Sequence, residues 1–387
     1  MRPEEHYRTP GQYIDALLEE RGWTNRILAL IAGVDEGVVS KLVNGKKVVD
    51  AETALVLGEV FEVPAEHFLD LQKLYDLAMA KTRQRPDPGR SARAHLFGKL
   101  PVSDMIKRGW LEGVESVKNP KLAETALARF FGVTRADEIE VLPHAAKKTE
   151  VFGAASPTQL AWLYRVKRIA HEMPASHFSP SHLESAIREL GSLRISSVAI
   201  RHVPRILAGC GIRYVIVESL PRAKIDGACF WLDERPVVGM SLRHDRIDNF
   251  WFVLRHELEH ARLGHGRVAV MLDSDLEGER AGTGESIAGE ERAANAAAAE
   301  FCVPQKQLDA FVVRKNPFFA DRDIVAFSRM LKVHPGLIAG QLQHRTGRYD
   351  RFREHQVKVR SVIIPNAMTD GWGDIAPLDY QGNVHGN

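Results

Sequence analysis

The clearest chemical signal in this 387-residue sequence is a His-Glu-x-x-His pattern at His256, Glu257 and His260, preceded by an apolar run of helical character. Four residues make just over one helical turn, so the two histidines project from the same face and can share one metal ion. Glu257 lies beside them, where it can polarise a water molecule rather than bind the metal. The pattern predicts a Zn²⁺ site, and the alternative is a pair of solvated histidines on a helix.

A catalytic zinc site needs a third protein ligand and one open coordination position. The alanine-rich stretch from Glu290 to Val303 predicts a helix whose small side chains allow close packing against the first helix. Glu291 can complete a His/His/Glu ligand set, and Asn295, one turn later, can hydrogen-bond to a ligand or to the neighbouring helix. The alternative for Glu291 is a solvated residue in the first turn of a helix, where the helix dipole favours negative charge.

The hydrophobic period changes twice around these candidates. Three stretches are typical of short strands, namely 212–217, 228–232 and 237–241, with Asp226-Gly227 in the first connection. Helical periodicity resumes at Phe250 and continues, with loops, to about Gln343. The segment 266–289 is rich in Gly, Ser and acids and predicts a long loop. We therefore expect a mainly α protein with a small β-sheet, in the α+β class.

Further motifs accompany the candidate ligands in a definite order. They are Gly211-Ile212, Ser219-Leu220-Pro221, Asp226-Gly227-Ala228, Asp248-Asn249-Phe250, Leu254-Arg255-His256-Glu257, Glu291, Asn295, Phe301, Pro304 and the run from His334 to Gln343. With these motifs, residues 195–345 resemble the ImmA/IrrE family of zinc metallopeptidases. Val253 and Glu259 depart from the Thr and Gly that are common in the family, and neither departure removes a ligand.

The resemblance implies a gluzincin-like domain in which His256, His260 and Glu291 hold Zn²⁺ and Glu257 is the general base. Members of the family typically cleave, or otherwise inactivate, a transcriptional repressor and so induce mobile-element, stress or defence genes. The implied partner is therefore a protein substrate of the repressor or antitoxin-like kind.

The segment from Thr24 to Asn44 has the spacing of a helix-turn-helix. Thr24 and Asp35 are placed to cap two helices, Ala29 is the small residue where they cross, and Gly33 allows the turn. The wider pattern includes Thr9-Pro10-Gly11, Asn44-Gly45-Lys46 and the run from Phe68 to Ala78. It resembles an XRE-family module, closest to the HigA-type antitoxins, and fusion of such a module to an ImmA/IrrE domain is a recurrent architecture.

In the DNA-binding interpretation, the helix over 35–43 enters the major groove of operator DNA, which residues 24–47 contact. The candidate contacts are Glu36, Gly37, Val38, Ser40 and Lys41 near base edges and Asn44, Lys46 and Lys47 near phosphates. The first 80 residues carry eight Lys/Arg and fourteen Asp/Glu, a net charge of −6, whereas DNA affinity depends on neutralising phosphates. The alternative is a module that binds a protein or one that mediates dimerisation. In the second case the chain forms a homodimer.

Composition argues against secretion and membrane insertion. No stretch approaches the ~20 uninterrupted apolar residues of a membrane span, and the first residues lack a basic-then-apolar signal. The three cysteines form no C-x-x-C pair. We expect a reduced, cytoplasmic protein without a membrane partner.

The predicted organisation has five parts. They are a helix-turn-helix domain (1–80), a linker (81–95), a helical connector (96–194), a zinc metallopeptidase domain (195–345) and a basic segment with a flexible C-terminal tail (346–387). Together they predict a transcriptional regulator that binds DNA and cleaves a repressor or antitoxin-like protein with a Zn²⁺-dependent endopeptidase. The alternative is a DNA-binding repressor or antitoxin whose zinc domain is a non-catalytic sensor or binds a partner protein.

Overall fold

The computed structural model describes residues 3–84, 87, 90–116, 118–139, 155–267, 270–274 and 289–376. The chain divides into two units, Met1–Pro88 and Gly89–Asn387. None of the helices in the described ranges combines the length and the apolar character that crossing a membrane requires.

Five helices form the first unit. They are α1 (Pro10–Arg21), α2 (Asn25–Ala32), α3 (Glu36–Val43), α4 (Ala51–Phe61) and α5 (Glu66–Arg83). The side chains of Thr9, Thr24 and Asp50 accept backbone N–H groups in the first turns of α1, α2 and α4, which satisfies donors that a helix start leaves open. Apolar side chains from all five helices meet in one core.

A five-stranded sheet with the order β4-β2-β3-β1-β5 organises the second unit. Its strands are β1 (Arg213–Val217), β2 (Ile225–Leu232), β3 (Arg235–Met240), β4 (Met271–Ser274) and β5 (Met368–Asp370). β1 runs parallel to β3 and β5, whereas β2 runs antiparallel to β3 and β4. β2 therefore lies between β3 and the edge strand β4.

Helices cover both faces of this sheet. Those of the described ranges are α6 (Arg90–Lys99), α7 (Val102–Lys107), α8 (Pro120–Phe131), α9 (Pro157–Glu172), α10 (Pro180–Leu193), α11 (Val203–Gly209), α12 (Ile247–Leu263), α13 (Gly289–Cys302), α14 (Gln305–Lys315), α15 (Asp321–Leu331), α16 (Pro335–Thr346) and α17 (Arg360–Ile363). Tyr214 and Ile216 of β1 face the core that includes α12, and Val215 and Val217 face the core that includes α9. Because both faces are buried, β1 is an uninterrupted apolar run from Tyr214 to Val217 after its first residue, Arg213.

The prediction of a mainly α protein with a small sheet is confirmed. The three predicted strands correspond to β1, β2 and β3, but Asp226-Gly227 lie within β2 rather than in the connection before it. The sequence analysis missed β4, in the predicted loop 266–289, and β5, in the expected flexible tail. Both are short edge strands, which pairing with a neighbour stabilises more than their own pattern does. Residues 268, 269, 275–288 and 377–387 of these segments lie outside the described residues.

The predicted linker over 81–95 is helical at both ends. α5 continues to Arg83 and α6 begins at Arg90, and residues 85, 86, 88 and 89 lie outside the described part of the chain. The boundary between the two units falls inside this segment. Helices of the predicted connector belong to the same unit as the sheet, because α9 packs directly on it.

Candidate metal centre

Helix α12 carries the His-Glu-x-x-His pattern in the middle of the second unit. Its apolar residues pack in the core beside the sheet, and Gly264 ends the helix in the left-handed conformation, with a φ of 75°. The side chains of His256, Glu257 and His260 are completely buried. The alternative of two solvated histidines therefore does not describe this helix.

Helix α13 brings Glu291 to the two histidines. Ala294 and Ala298 are completely buried on the face that packs along α12, so small side chains do allow the close approach that the sequence predicts. One oxygen of Glu291 lies 3.4 Å from Nε2 of His256, and the other lies 3.5 Å from Nε2 of His260. The two Nε2 atoms are 3.0 Å apart.

The edge strand β4 contributes a fourth group, which the sequence analysis missed. Oδ2 of Asp273 lies 3.3 Å from Nε2 of His256 and 3.9 Å from Nε2 of His260. One donor atom from each of Asp273, Glu291 and the two histidines lies within 4.8 Å of all the others. No local pattern marks Asp273, because its position depends on the pairing of β4 with β2.

Negative charge dominates the electrostatics of this cluster. Burial lowers the pKa of His256, but hydrogen bonding and charge from Asp273 and Glu291 outweigh burial and raise that pKa to about 9. Burial raises the pKa of Glu257 well above its usual range, and the charges of Asp273 and Glu291 raise it further. The carboxylates thus stabilise positive charge at the point where the donor atoms converge.

The donor set fits a divalent metal ion. Imidazole nitrogen and carboxylate oxygen are both ligands of Zn²⁺, and buried carboxylates need a paired cation or a metal to offset their desolvation. Among the described residues, Oδ2 of Asp273 and Nδ1 of His256 are buried without a hydrogen-bond partner of normal geometry. A cation held by His256, His260 and Glu291 would compensate the carboxylate charge.

Two neighbours restrict how His260 and Glu257 can move. Nδ1 of His265 lies 3.0 Å from Nδ1 of His260, on the ring edge opposite Nε2 of His260. Nε2 of His265 lies 3.6 Å from Oε1 of Glu290. Such contacts to the far nitrogen orient a ligand imidazole. Gly227 of β2 faces Glu257 so closely that a Cβ there would lie 2.1 Å from Oε1 of that carboxylate.

Glu259, which stands where the family commonly has Gly, is held by two arginines. Arg255 contacts one of its oxygens at 2.7 Å, and Arg262 donates to both oxygens at 2.9 and 2.6 Å. Burial alone would raise the pKa of Glu259, but these hydrogen bonds hold it below its usual value. Its charge is therefore neutralised on α12 itself.

Asn295 lies half-buried on α13, one turn after Glu291. Within the described part of the chain its amide makes no hydrogen bond, either to a candidate ligand or to α12. Its predicted supporting role stays a prediction.

The candidate DNA contacts lie in the first unit, at and beyond α3. Glu36, Gly37, Lys41, Asn44, Lys46 and Lys47 are exposed, whereas Val38 and Ser40 are half-buried. The backbone N–H groups of Lys46 and Lys47 donate to the carbonyl oxygen of Lys41 at 2.7 and 3.0 Å, so the turn folds back over the end of α3 and holds the three lysines together. The amide of Asn44 donates to the carbonyl of Ser40 at 2.8 Å.

The turn between α2 and α3 has the predicted form. Gly33 ends α2 in the left-handed conformation with a φ of 67°, Ala29 is buried, and Thr24 caps α2. Asp35 occupies the position before α3 but makes no side-chain capping hydrogen bond, which differs from the expectation.

Comparison with known families singles out the segment that carries the cluster. Residues 211–345 match the Peptidase_M78 family model, described as the IrrE N-terminal-like domain. Among proteins with curated descriptions, none matches the chain. The matched segment contains all four groups of the cluster and Glu257. The ImmA/IrrE part of the resemblance is thus confirmed for residues 211–345, which match a metallopeptidase-like family.

Proposed function

We propose that the second unit contains a zinc-dependent endopeptidase site in which His256, His260 and Glu291 hold Zn²⁺ and Glu257 is the general base. One observation carries the proposal. Donor atoms from α12 and α13 converge within ligand–ligand distance in a buried, negatively charged centre, inside the segment that matches a metallopeptidase-like family.

When bound at this site, Zn²⁺ would supply the Lewis acidity that lowers the pKa of water and polarises a peptide carbonyl. With the charges of Asp273 and Glu291 compensated by the metal ion, the carboxylate of Glu257 would accept a proton from the attacking water as the new C–O bond forms. Its protonated oxygen then donates that proton to the leaving amide nitrogen as the C–N bond breaks. Complete burial of Glu257 keeps this proton from bulk solvent.

Elemental analysis tests the metal site. We expect about one zinc per chain in the wild type and a sharp loss in His260→Ala and Glu291→Ala, because each removes one of three ligands. Glu300→Ala is the matched control, since Glu300 is exposed on the same helix. Equal zinc content in all four proteins would refute the ligand assignment.

Glu257→Gln tests catalysis separately from metal binding. We expect the variant to retain zinc and to lose peptidase activity, because an amide cannot accept the proton. The measurement compares new protein N-termini after incubating each zinc-loaded protein with the soluble proteome of the source organism. Identical sets of new N-termini would refute the enzymatic role.

The proposed biological role is cleavage of a repressor or antitoxin-like protein by a regulator that also binds operator DNA through residues 24–47. The helix-turn-helix geometry of α2 and α3 and the cluster of Lys41, Lys46 and Lys47 support DNA binding. If the lysines contact phosphates, the double variant Lys46→Ala/Lys47→Ala should weaken binding to all sequences. It should also reduce the slope of log K against log salt by about 2. An unchanged slope would leave protein binding or dimerisation as the role of this unit.

A second candidate function has a specific observation in its favour. With Asp273, four side chains that can bind a metal meet at the centre, namely two imidazoles and two carboxylates. Four protein ligands are typical of structural zinc sites. The chain would then be a DNA-binding repressor or antitoxin whose metal domain senses a ligand or binds a partner without turnover. Full biological activity of Glu257→Gln would favour this function over the peptidase.

A further inference from the structure

Asp273 occupies a position that the sequence-predicted ligand set leaves open. It lies on the four-residue edge strand β4, with its side chain directed to the two metal-facing nitrogens of α12. Asp273 is 5% exposed, so its carboxylate is buried although the residue lies on an edge strand.

The distances around Asp273 suit direct ligation. A tetrahedral centre with metal–ligand bonds of about 2.0–2.1 Å has ligand–ligand separations of about 3.3–3.4 Å. Asp273 lies 3.3 and 3.9 Å from the nitrogens of His256 and His260, and Glu291 lies 3.4 and 3.5 Å from the same two atoms. Asp273 therefore approaches the histidines about as closely as the third predicted ligand does.

The hydrogen bonding of Asp273 also favours direct ligation of a metal ion. Its Oδ2 atom is buried and receives no hydrogen bond of normal geometry from the described residues. A buried carboxylate without compensation is costly, and the groups placed to compensate this one are the histidine nitrogens of the cluster and the neighbouring carboxyl of Glu257.

We propose that Asp273 is a fourth protein ligand of the metal centre and that it closes the coordination position which a hydrolytic centre uses for water and substrate. The inference rests on the proposed zinc site. With four protein ligands the resting centre is closed, and the proposed cleavage takes place in an open state, which forms when β4 moves away from β2. β4 suits such movement because it is an edge strand whose pairing with β2 has a register irregularity.

The test uses the full-length protein loaded with Zn²⁺ or Co²⁺ alone. Asp273→Asn removes the charge with little change of shape, Asp273→Ala removes the donor, and Asp233→Asn in the exposed β2–β3 turn is the matched control. Zinc affinity is measured by competition with a chromophoric chelator. The d–d absorption of the Co²⁺ protein is recorded with and without azide, which occupies an open coordination position.

We expect a zinc Kd at least about tenfold weaker in Asp273→Ala than in the wild type or the control, because a ligand is lost. We also expect azide to change the Co²⁺ spectrum of Asp273→Ala but not that of the wild type. If the wild-type spectrum responds to azide as the variant does and the zinc affinities agree, Asp273 is not a ligand, and the three-ligand site stands. If the wild type binds neither metal, the proposed zinc site itself fails.

Discussion

The buried carboxylate of Asp370 allows a stability prediction from defined contacts. Asp370 and Arg165 are 1% and 2% exposed and form an ion pair between β5 and α9, in which Nε and Nη2 of Arg165 both donate to Oδ2 of Asp370. The same carboxylate accepts a hydrogen bond from the indole N–H of Trp110 at 2.7 Å and one from the backbone N–H of Ala376 at 3.1 Å. It thus joins β5, α9 and the segment before α8.

Asp370→Asn perturbs this network without changing its shape. The amide can keep one acceptor oxygen for Trp110, but its NH₂ group then faces the guanidinium of Arg165 and the N–H of Ala376, which are also donors. Arg165 becomes a buried charge without its partner. Breaking a buried ion pair in this way costs about 3–5 kcal/mol, a large fraction of the about 5–15 kcal/mol by which a typical domain is stable.

Urea denaturation followed by tryptophan fluorescence measures this loss, since five of the six tryptophans lie in the second unit. Asp374→Asn is the matched control, because Asp374 is exposed four residues later and should change stability by less than about 0.5 kcal/mol. A loss below about 1 kcal/mol for Asp370→Asn would refute the reasoning that β5 is held by this pair.

Three further predictions address the site and its surroundings. Gly227→Ala should retain zinc but lower peptidase activity about 10²-fold, because the Cβ of the alanine would displace the carboxylate of Glu257 by about 1 Å or more. Undiminished peptidase activity in this variant would contradict the prediction. Burial and the charge of neighbouring His355 hold the pKa of His334 below its usual value near 6.5. The neutral imidazole therefore contributes to stability above about pH 6.5, and this contribution is lost as the pH falls through the lower pKa of the folded state. In urea denaturation, His334→Asn should flatten the pH dependence of stability below about pH 6.5, and an unchanged dependence would exclude this role. Zinc at 100 times its Kd should stabilise the wild type by about 2.7 kcal/mol, measured as a rise in Tm, and should not stabilise His260→Ala to that extent.

Much of the candidate site could be predicted from the sequence. His256 and His260 share a face because the helical period places residues four apart on one side, and this holds wherever the helix packs. Glu291 was predictable from its place on an alanine-rich helix that can approach closely. The structure confirms that these side chains come together, while their roles as ligands stay predictions that the zinc measurements test.

The missed features all depend on long-range pairing. Asp226-Gly227 resembles a turn in the sequence, yet the residues lie within β2, because pairing on both sides of this strand overrides the local preference. The contact between Gly227 and Glu257 follows only from the packing of α12 on β2. β5 is three residues long and carries no periodic signal, so its place beside β1 was not predictable.

Local periodicity and residue type were sufficient to predict the helices of the first unit, helices α12 and α13, the chemistry of the donor side chains and the α+β class. Which other charged groups meet His256, His260 and Glu291 depends on the tertiary fold. Asp273 reaches them because β4 pairs with β2 beneath α12, and Asp370 meets Arg165 because β5 pairs with β1. Such contacts join segments far apart in the chain, and their energy comes from burial of opposite charges, which no local pattern records.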